Sequence, residues 1–223
     1  MSPLLYYALP ALSSYVMLST FFLRRPRLLH TPWVSAFCPH LGAHRGGHFA
    51  HGSDRHMVRL EDVFRRFPRM PMSVEVKEQN EELIRKIAGL VRHYECDEIT
   101  IWASEKSSVM KKCKAANPEM PTAFTISRGF WVLLLYYLGL LPFISIPERF
   151  LISFLPTIIN RLIMRKSLIQ HLEQRGVQVV FWCLNEESDF EVAFCLGATG
   201  VITDYPTALR RYLDNHGPPA VAS

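Results

Sequence analysis

Four short runs carry side chains able to handle a phosphate ester: Ala43-His44-Arg45-Gly46-Gly47, Val74-Glu75-Val76-Lys77, Phe181-Trp182-Cys183-Leu184-Asn185 and Gly200-Val201-Ile202-Thr203-Asp204-Tyr205-Pro206. His44 offers an imidazole that exchanges a proton near neutral pH. Arg45 offers a planar fork that matches two phosphate oxygens. Gly46 and Gly47 let backbone approach a ligand closely, though the same four residues also make an ordinary polar turn. Glu75 and Lys77 are two positions apart, so a strand points both to one face. That pair reads either as an exposed ion pair or as a metal-binding carboxylate beside a phosphate-binding cation. Trp182 suits a core as well as a substrate wall, and Asn185 suits a helix N-cap.

Holding these runs together requires elements that end where the runs stand. Met72 to Lys77 alternates with period two, and Glu98 to Trp102 and Val177 to Trp182 are strand-like. Between such segments lie helical patterns: Asn80 to Val91, Ser104 to Ala115, Ile163 to Gln174 closed by Gly176, Glu186 to Leu196, and Thr207 to Leu213. Strands separated by helices of this length imply parallel βαβ units, in which functional residues gather at the strand ends. Candidate strands fall at 37–43, 72–77, 98–102, 122–126, 155–159, 177–182 and 201–203, one fewer than a closed (β/α)8 barrel needs. Residues 48–58, with three histidines and Gly52, are poor in β-formers and read as a loop.

The chain has 223 residues, 49% of them hydrophobic and 20% charged, with a mean hydropathy of +0.08, which excludes a disordered polymer. A net charge of +5 without a basic stripe suits anionic lipid or phosphorylated substrates and argues against nucleic acid. The cysteines at 38, 96, 113, 183 and 195 are odd in number and lack any CxxC spacing, so they read as free thiols of a reducing compartment. From Ser2 to Leu23 no residue is charged, and Arg24, Arg25 and Arg27 follow at once. Charge after the apolar run, and no cleavage site, argue against a cleaved signal peptide. The organisation expected is a transmembrane anchor at 1–23, a linker at 24–36, a barrel at 37–216 and a short tail at 217–223. The positive-inside rule places the barrel in the cytosol. A second uncharged stretch, Gly129 to Ile146, reads as a packing helix, an interfacial helix or a further span.

In this order the four runs resemble the glycerophosphodiester phosphodiesterase family, whose barrels carry His-Arg-Gly, Glu-x-Lys, Trp-x-x-Asn and Thr-Asp-x-Pro at successive strand ends. The apolar N-terminus is similar to the membrane-anchored branch that acts on lysophospholipids, and the resemblance covers residues 1 to 215. It implies an α/β fold of TIM-barrel type and hydrolysis of lysophospholipids or glycerophosphodiesters in the lysophospholipase D manner. It also implies a divalent metal, Ca2+ or Mg2+, and a place at the endoplasmic reticulum or perinuclear membrane. Carried over residue by residue, His44 is an acid/base, Arg45 a phosphate ligand, Glu75 a metal ligand and Lys77 a charge-stabilising neighbour. Trp182 would line the glycerol side of the substrate.

One departure governs the expectation. The family continues past His-Arg-Gly-Gly with Glu-Asn-Thr, a strand bearing Glu-x-Asp, and a His-Asp pair, whereas here Gly47 runs into His48-Phe49-Ala50-His51-Gly52-Ser53. Two metal carboxylates, a second catalytic histidine and one βα unit are missing from the sequence. The expectation is therefore an incomplete barrel, an incomplete metal site and impaired turnover in an internally shortened chain. The alternatives are an inactive membrane-anchored relative that binds partners or lipids, or an unstable splice product. A metal module on His40, His44, His48, His51 and His56, the first three spaced by four, would need a helix that Gly42, Gly46, Gly47 and Gly52 oppose.

Overall fold

The computed structural model describes residues 3–34, 41–43, 58–155 and 165–217. Six strands alternate with helices: β1 (Leu41–Ala43), β2 (Met72–Glu75), β3 (Thr100–Ala103), β4 (Phe150–Phe154), β5 (Gln178–Trp182) and β6 (Gly200–Thr203). The helices are α1 (Pro3–Arg24), α2 (Leu60–Arg66), α3 (Glu81–His93), α4 (Ser107–Ala116), α5 (Ile126–Tyr137), α6 (Lys166–Gln174), α7 (Glu187–Leu196) and α8 (Pro206–His216). Every strand pairing is parallel. One sheet runs β1-β6-β5-β4 and the other is β2-β3. Single bridges from Trp102 to Thr122 and from Ala123 to Phe150 join the two sheets. The result is an arc in the order β2, β3, residues 122–123, β4, β5, β6, β1. Among the described residues, no strand pairs with the outer edge of β1 or of β2.

Helix-covered parallel strands are buried on both faces and need apolar runs. Val179, Val180 and Phe181 of β5 and Ile101 and Trp102 of β3 meet that need. On α3, the Asn80 side chain accepts from the Leu83 N–H at 3.1 Å, and Ile84, Ile87, Ala88 and Val91 form its buried stripe. Gly176 ends α6 with φ +80°, where an added Cβ would strike the Trp33 backbone. One core lies under β5, β6 and α5–α8, and a second lies between β3, α3 and α4. A small third cluster of Ile101, Ala103, Ala123 and Phe150 connects them.

Several expectations shift. Phe150–Phe154 forms a strand that the sequence reading did not mark, while the strand expected at 155–159 lies, but for its first residue, outside the described residues. The strand expected at 122–126 contracts to the bridges at Thr122 and Ala123, because Thr125 caps α5 by accepting from the Arg128 N–H at 3.4 Å. The helix expected from Ser104 begins at Ser107, since the Ser104 hydroxyl donates to the Val76 carbonyl at 2.8 Å. The short α2 has no counterpart in the sequence reading.

The apolar N-terminus forms α1, 22 residues with Pro10 inside. Among the described residues, no helix is long and apolar enough to cross a membrane. The later half of α1 docks on the body: the Tyr15 hydroxyl donates to the Leu138 carbonyl, and the Ser19 hydroxyl donates to the Gly139 carbonyl at 2.8 Å. The Leu23 carbonyl lies 2.8 Å from His171 Nδ1.

Candidate active site

Beyond the end of β2 the chain keeps its period-two alternation. Val76 is buried and its N–H donates to the Ala103 carbonyl at 2.9 Å, which leaves Glu75 and Lys77 facing outward on one side. The Lys77 ammonium stands 3.5 Å from the Glu75 carboxylate, with the side chains 72% and 40% exposed respectively. The pair expected from sequence is therefore assembled, and both members are open to solvent. The Ser104 bond to Val76 ties the ends of β2 and β3 together beneath it.

Two strands away, β4 and β5 pair Phe154 opposite Trp182 in register. Their rings meet at 4.4 Å between centroids and are tilted by 31°, which makes a flat apolar wall at that strand end. Next to it, Asn185 knits β5 to β6. Its Oδ1 accepts from the Thr203 hydroxyl at 3.1 Å and from the Asp204 N–H at 3.0 Å, and its Nδ2 donates to Asp204 Oδ2 at 3.1 Å. The Cys183 thiol donates to the same carboxylate oxygen at 3.1 Å. Asn185 is thus not the N-cap of α7; Glu186 takes that position. A further polar group, Ser107, Thr125 and Ser127, gathers after β3 and residues 122–123, with Ser107 Oγ 2.9 Å from Thr125 Oγ1 and 2.6 Å from Ser127 Oγ.

Of the residues expected at the site, Glu75 and Lys77 stand together and Trp182 stands on β5, separated from them along the arc by β3, residues 122–123 and β4. His44 and Arg45 lie outside the described residues. β1 itself ends at Ala43, opposite Thr203 of β6. Phe154, Cys183 and Asp204 carry contacts that the sequence reading did not assign. The Phe154–Trp182 pair follows from the parallel register of β4 against β5, and β4 is a strand that the sequence reading did not mark.

The donor set was tested against the divalent metal that the resemblance implies. Ca2+ takes six to eight oxygen ligands and Mg2+ takes six. Among the described residues, no three His, Cys, Asp or Glu side chains gather in a way that could hold an ion. Glu75 is the one carboxylate of the family set among them, and its charge is turned toward Lys77. The described residues alone do not make a metal site. What they offer, at separate strand ends, is a cation beside a carboxylate, an aromatic pair and groups of hydroxyls and amides.

The profile of the glycerophosphoryl diester phosphodiesterase family matches residues 51–208. Human lysophospholipase D GDPD3 is 57% identical over an alignment of 318 positions that covers all of both chains. This chain has 223 residues, so 95 of those positions carry none of them. The mouse protein of the same name is 52% identical over 309 positions, covering 96% of this chain and 94% of its own. Among solved structures, a glycerophosphoryl diester phosphodiesterase domain from Mycobacterium tuberculosis superposes with a TM-score of 0.54 at 13% identity, over 69% of this chain and 62% of that one. A glycerophosphodiester phosphodiesterase from Agrobacterium tumefaciens gives 0.51 at 14% identity, over 69% and 61%. At that identity the structures speak for the barrel-like fold only, while the sequence matches speak for descent. This chain belongs to the glycerophosphoryl diester phosphodiesterase family.

Proposed function

We propose that the chain is a membrane-anchored phosphodiester hydrolase of the lysophospholipase D type whose turnover is impaired by internal shortening. The observation that carries this reading is the Glu75–Lys77 pair, 3.5 Å apart and solvent-open at the end of β2. An exposed ion pair of this kind is worth no more than about 1 kcal/mol. An incoming phosphate can therefore draw the Lys77 ammonium away from Glu75 at small cost and take its charge. The Phe154–Trp182 wall offers apolar area to glycerol carbons. His44 and Arg45 retain the acid/base and phosphate-ligand roles that the family resemblance implies.

The shortening explains the impairment. The 95 alignment positions without a residue here are room enough for the missing βα unit and its carboxylates. With Glu75 alone, Ca2+ or Mg2+ would be weakly held, and losing a metal site or a general acid costs orders of magnitude in rate. Release of choline or ethanolamine from a lysophospholipid by the purified chain, with Ca2+ and Mg2+ added separately, tests this. The expected rate is at least about a hundredfold below that of the human relative measured in parallel. Equal rates would end the claim of impairment, and a Lys77→Ala variant with unchanged rate would end the proposed role of the pair.

The anchor rests on α1. Twenty-two helical residues rise about 33 Å, close to the hydrocarbon thickness of a bilayer. Two of its hydroxyls are satisfied by its own backbone, Ser13 donating to the Pro10 carbonyl at 2.9 Å and Thr20 to the Val16 carbonyl at 2.7 Å, which lowers their cost in lipid. Arg24, Arg25 and Arg27 mark a cytosolic end, at the endoplasmic reticulum or perinuclear membrane. Alkaline carbonate extraction should leave the chain in the membrane pellet. Recovery in the supernatant would refute the anchor.

A further inference from the structure

We infer that α5 and the turn that follows it, residues 126–144, form a second lipid contact lying in the plane of the bilayer surface beside α1. The inference rests on the anchor proposed above and adds a site to it.

A surface helix ordinarily shows polar residues on its open face. On α5 the open face is apolar: Phe130 is 68% exposed, Trp131 58% and Leu134 48%. Leu138, Phe143 and Ile144 continue the patch through the turn. From Gly129 to Pro147 there is no charged residue at all. Contiguous open apolar surface of this extent marks a partner or a membrane. The opposite side of α5 is committed to the protein, with Val132 buried and Leu133, Leu135 and Tyr136 packed on the main core. The turn is equally fixed: Arg175 donates to the Leu141 carbonyl at 3.1 Å and to the Ile144 carbonyl at 2.7 Å.

The occupant follows from α1. Tyr15 and Ser19 donate to the carbonyls of Leu138 and Gly139, and Phe22 meets Phe143 edge to face at 5.9 Å. Gly139 has φ +72°, and a Cβ there would collide with the Ser19 hydroxyl, so the approach is tight. Ser19, which holds the Gly139 carbonyl, lies five residues before Arg24, which is about 8 Å of helix rise. If the arginines sit at the headgroups, the surface touching Tyr15 and Ser19 lies at acyl depth. Residues 138–144 are then covered by lipid rather than by water or a soluble protein. A helix of 12 residues rises only about 18 Å, too little to span, and its protein-facing side forbids insertion on its own. An in-plane helix, half on protein and half in lipid, satisfies both faces. Cations fringe the patch: Arg25 lies 5.0 Å over the Phe21 ring and Arg165 lies 5.8 Å from the Tyr137 ring. Both suit anionic headgroups.

The test uses the full chain reconstituted in vesicles of phosphatidylcholine and phosphatidylserine whose acyl chains carry bromine at shallow or deep positions, read by tryptophan fluorescence. Shallow bromines should quench the chain most strongly, and Trp131→Phe should lose that quenching while Trp33, Trp102 and Trp182 still emit. A Leu134→Glu variant that keeps its circular dichroism should also lose it, yet stay in the carbonate-resistant pellet through α1. Equal quenching in Trp131→Phe and wild type would overturn the inference. So would strongest quenching by deep bromines, which indicates a spanning helix, or Trp131 shielded without lipid in a crosslinkable dimer. Carbonate-soluble chain with Trp131 quenching intact would remove the anchor and leave the α5 contact standing.

Discussion

Asn185 holds two strand ends with one side chain. Replacing it by alanine leaves the Thr203 hydroxyl, the Asp204 N–H and the Asp204 carboxylate each one partner short. Because the site is half-buried, water replaces part of the loss, and Asn185→Ala should cost about 1–3 kcal/mol, read as a lower urea midpoint. Lys77→Ala in the same measurement should stay within about 0.5 kcal/mol of wild type, since its pair is exposed. The contrast separates a residue that builds the site from one that meets substrate, and an Asn185→Ala midpoint equal to that of Lys77→Ala would contradict it. The Glu75–Lys77 geometry was legible in the sequence because two residues apart on a strand share a face and the intervening Val76 belongs in the core. The Asn185 knot was not, because its partners Thr203 and Asp204 come from another strand. Read locally, Asn185 before an acidic first turn looks like a cap.

Elements show the same division between local and distant causes. The α3 boundaries follow from Asn80 and its apolar stripe, and α3 appears where the pattern put it. The start of β4 does not, because the run from Phe150 to Phe154 shows no alternation and becomes a strand through its pairing with β5. α6 carries a device that no pattern reveals. His171 is fully buried, with Nδ1 against the Leu23 carbonyl at the end of α1 and Nε2 without a protein partner among the described residues. Burial pushes its pKa down to about 4, the Leu23 bond opposes this, and nearby Arg175 and His30 push further down. The folded state therefore holds a neutral ring, while the unfolded chain takes a proton near the ordinary value of about 6.5. The stability tied to the neutral ring is complete above about pH 6.5 and is lost as pH falls toward about 4. Urea unfolding at pH 5 should show about 2 kcal/mol less stability than at pH 7.5 from this group, and His171→Gln should flatten that difference. An identical pH slope in the variant would assign the loss to other groups.

At the scale of the whole molecule, the arc is two pieces sharing a narrow joint. One piece is β2–β3 with α2–α4, and the other is β1, β4, β5 and β6 with α5–α8. Counting candidate strands in the sequence gives seven against the eight a barrel closes with, and the described residues hold six strands and the bridge segment 122–123. That among the described residues the two sheets meet through the Trp102–Thr122 and Ala123–Phe150 bridges was not legible, because it depends on Thr125 leaving the strand to cap α5. In a closed barrel, each half would also be held across the β1–β2 side by ladder hydrogen bonds. Among the described residues that side contributes none, so cooperativity between the halves rests on the cluster of Ile101, Ala103, Ala123 and Phe150 and on the hydroxyl contacts of Ser107 with Thr125 and Ser127. Phe150 is 1% exposed, and its ring also stands 6.1 Å from that of Trp33. Phe150→Ala should cost about 3–5 kcal/mol by leaving a cavity in the joint. Its effect should go beyond stability. Tryptophan emission from Trp102 in one piece and hydrogen exchange across β5 in the other should coincide during unfolding of the wild-type chain and separate into two transitions in the variant. Coincident transitions in Phe150→Ala would show that the halves are coupled by contacts other than this joint.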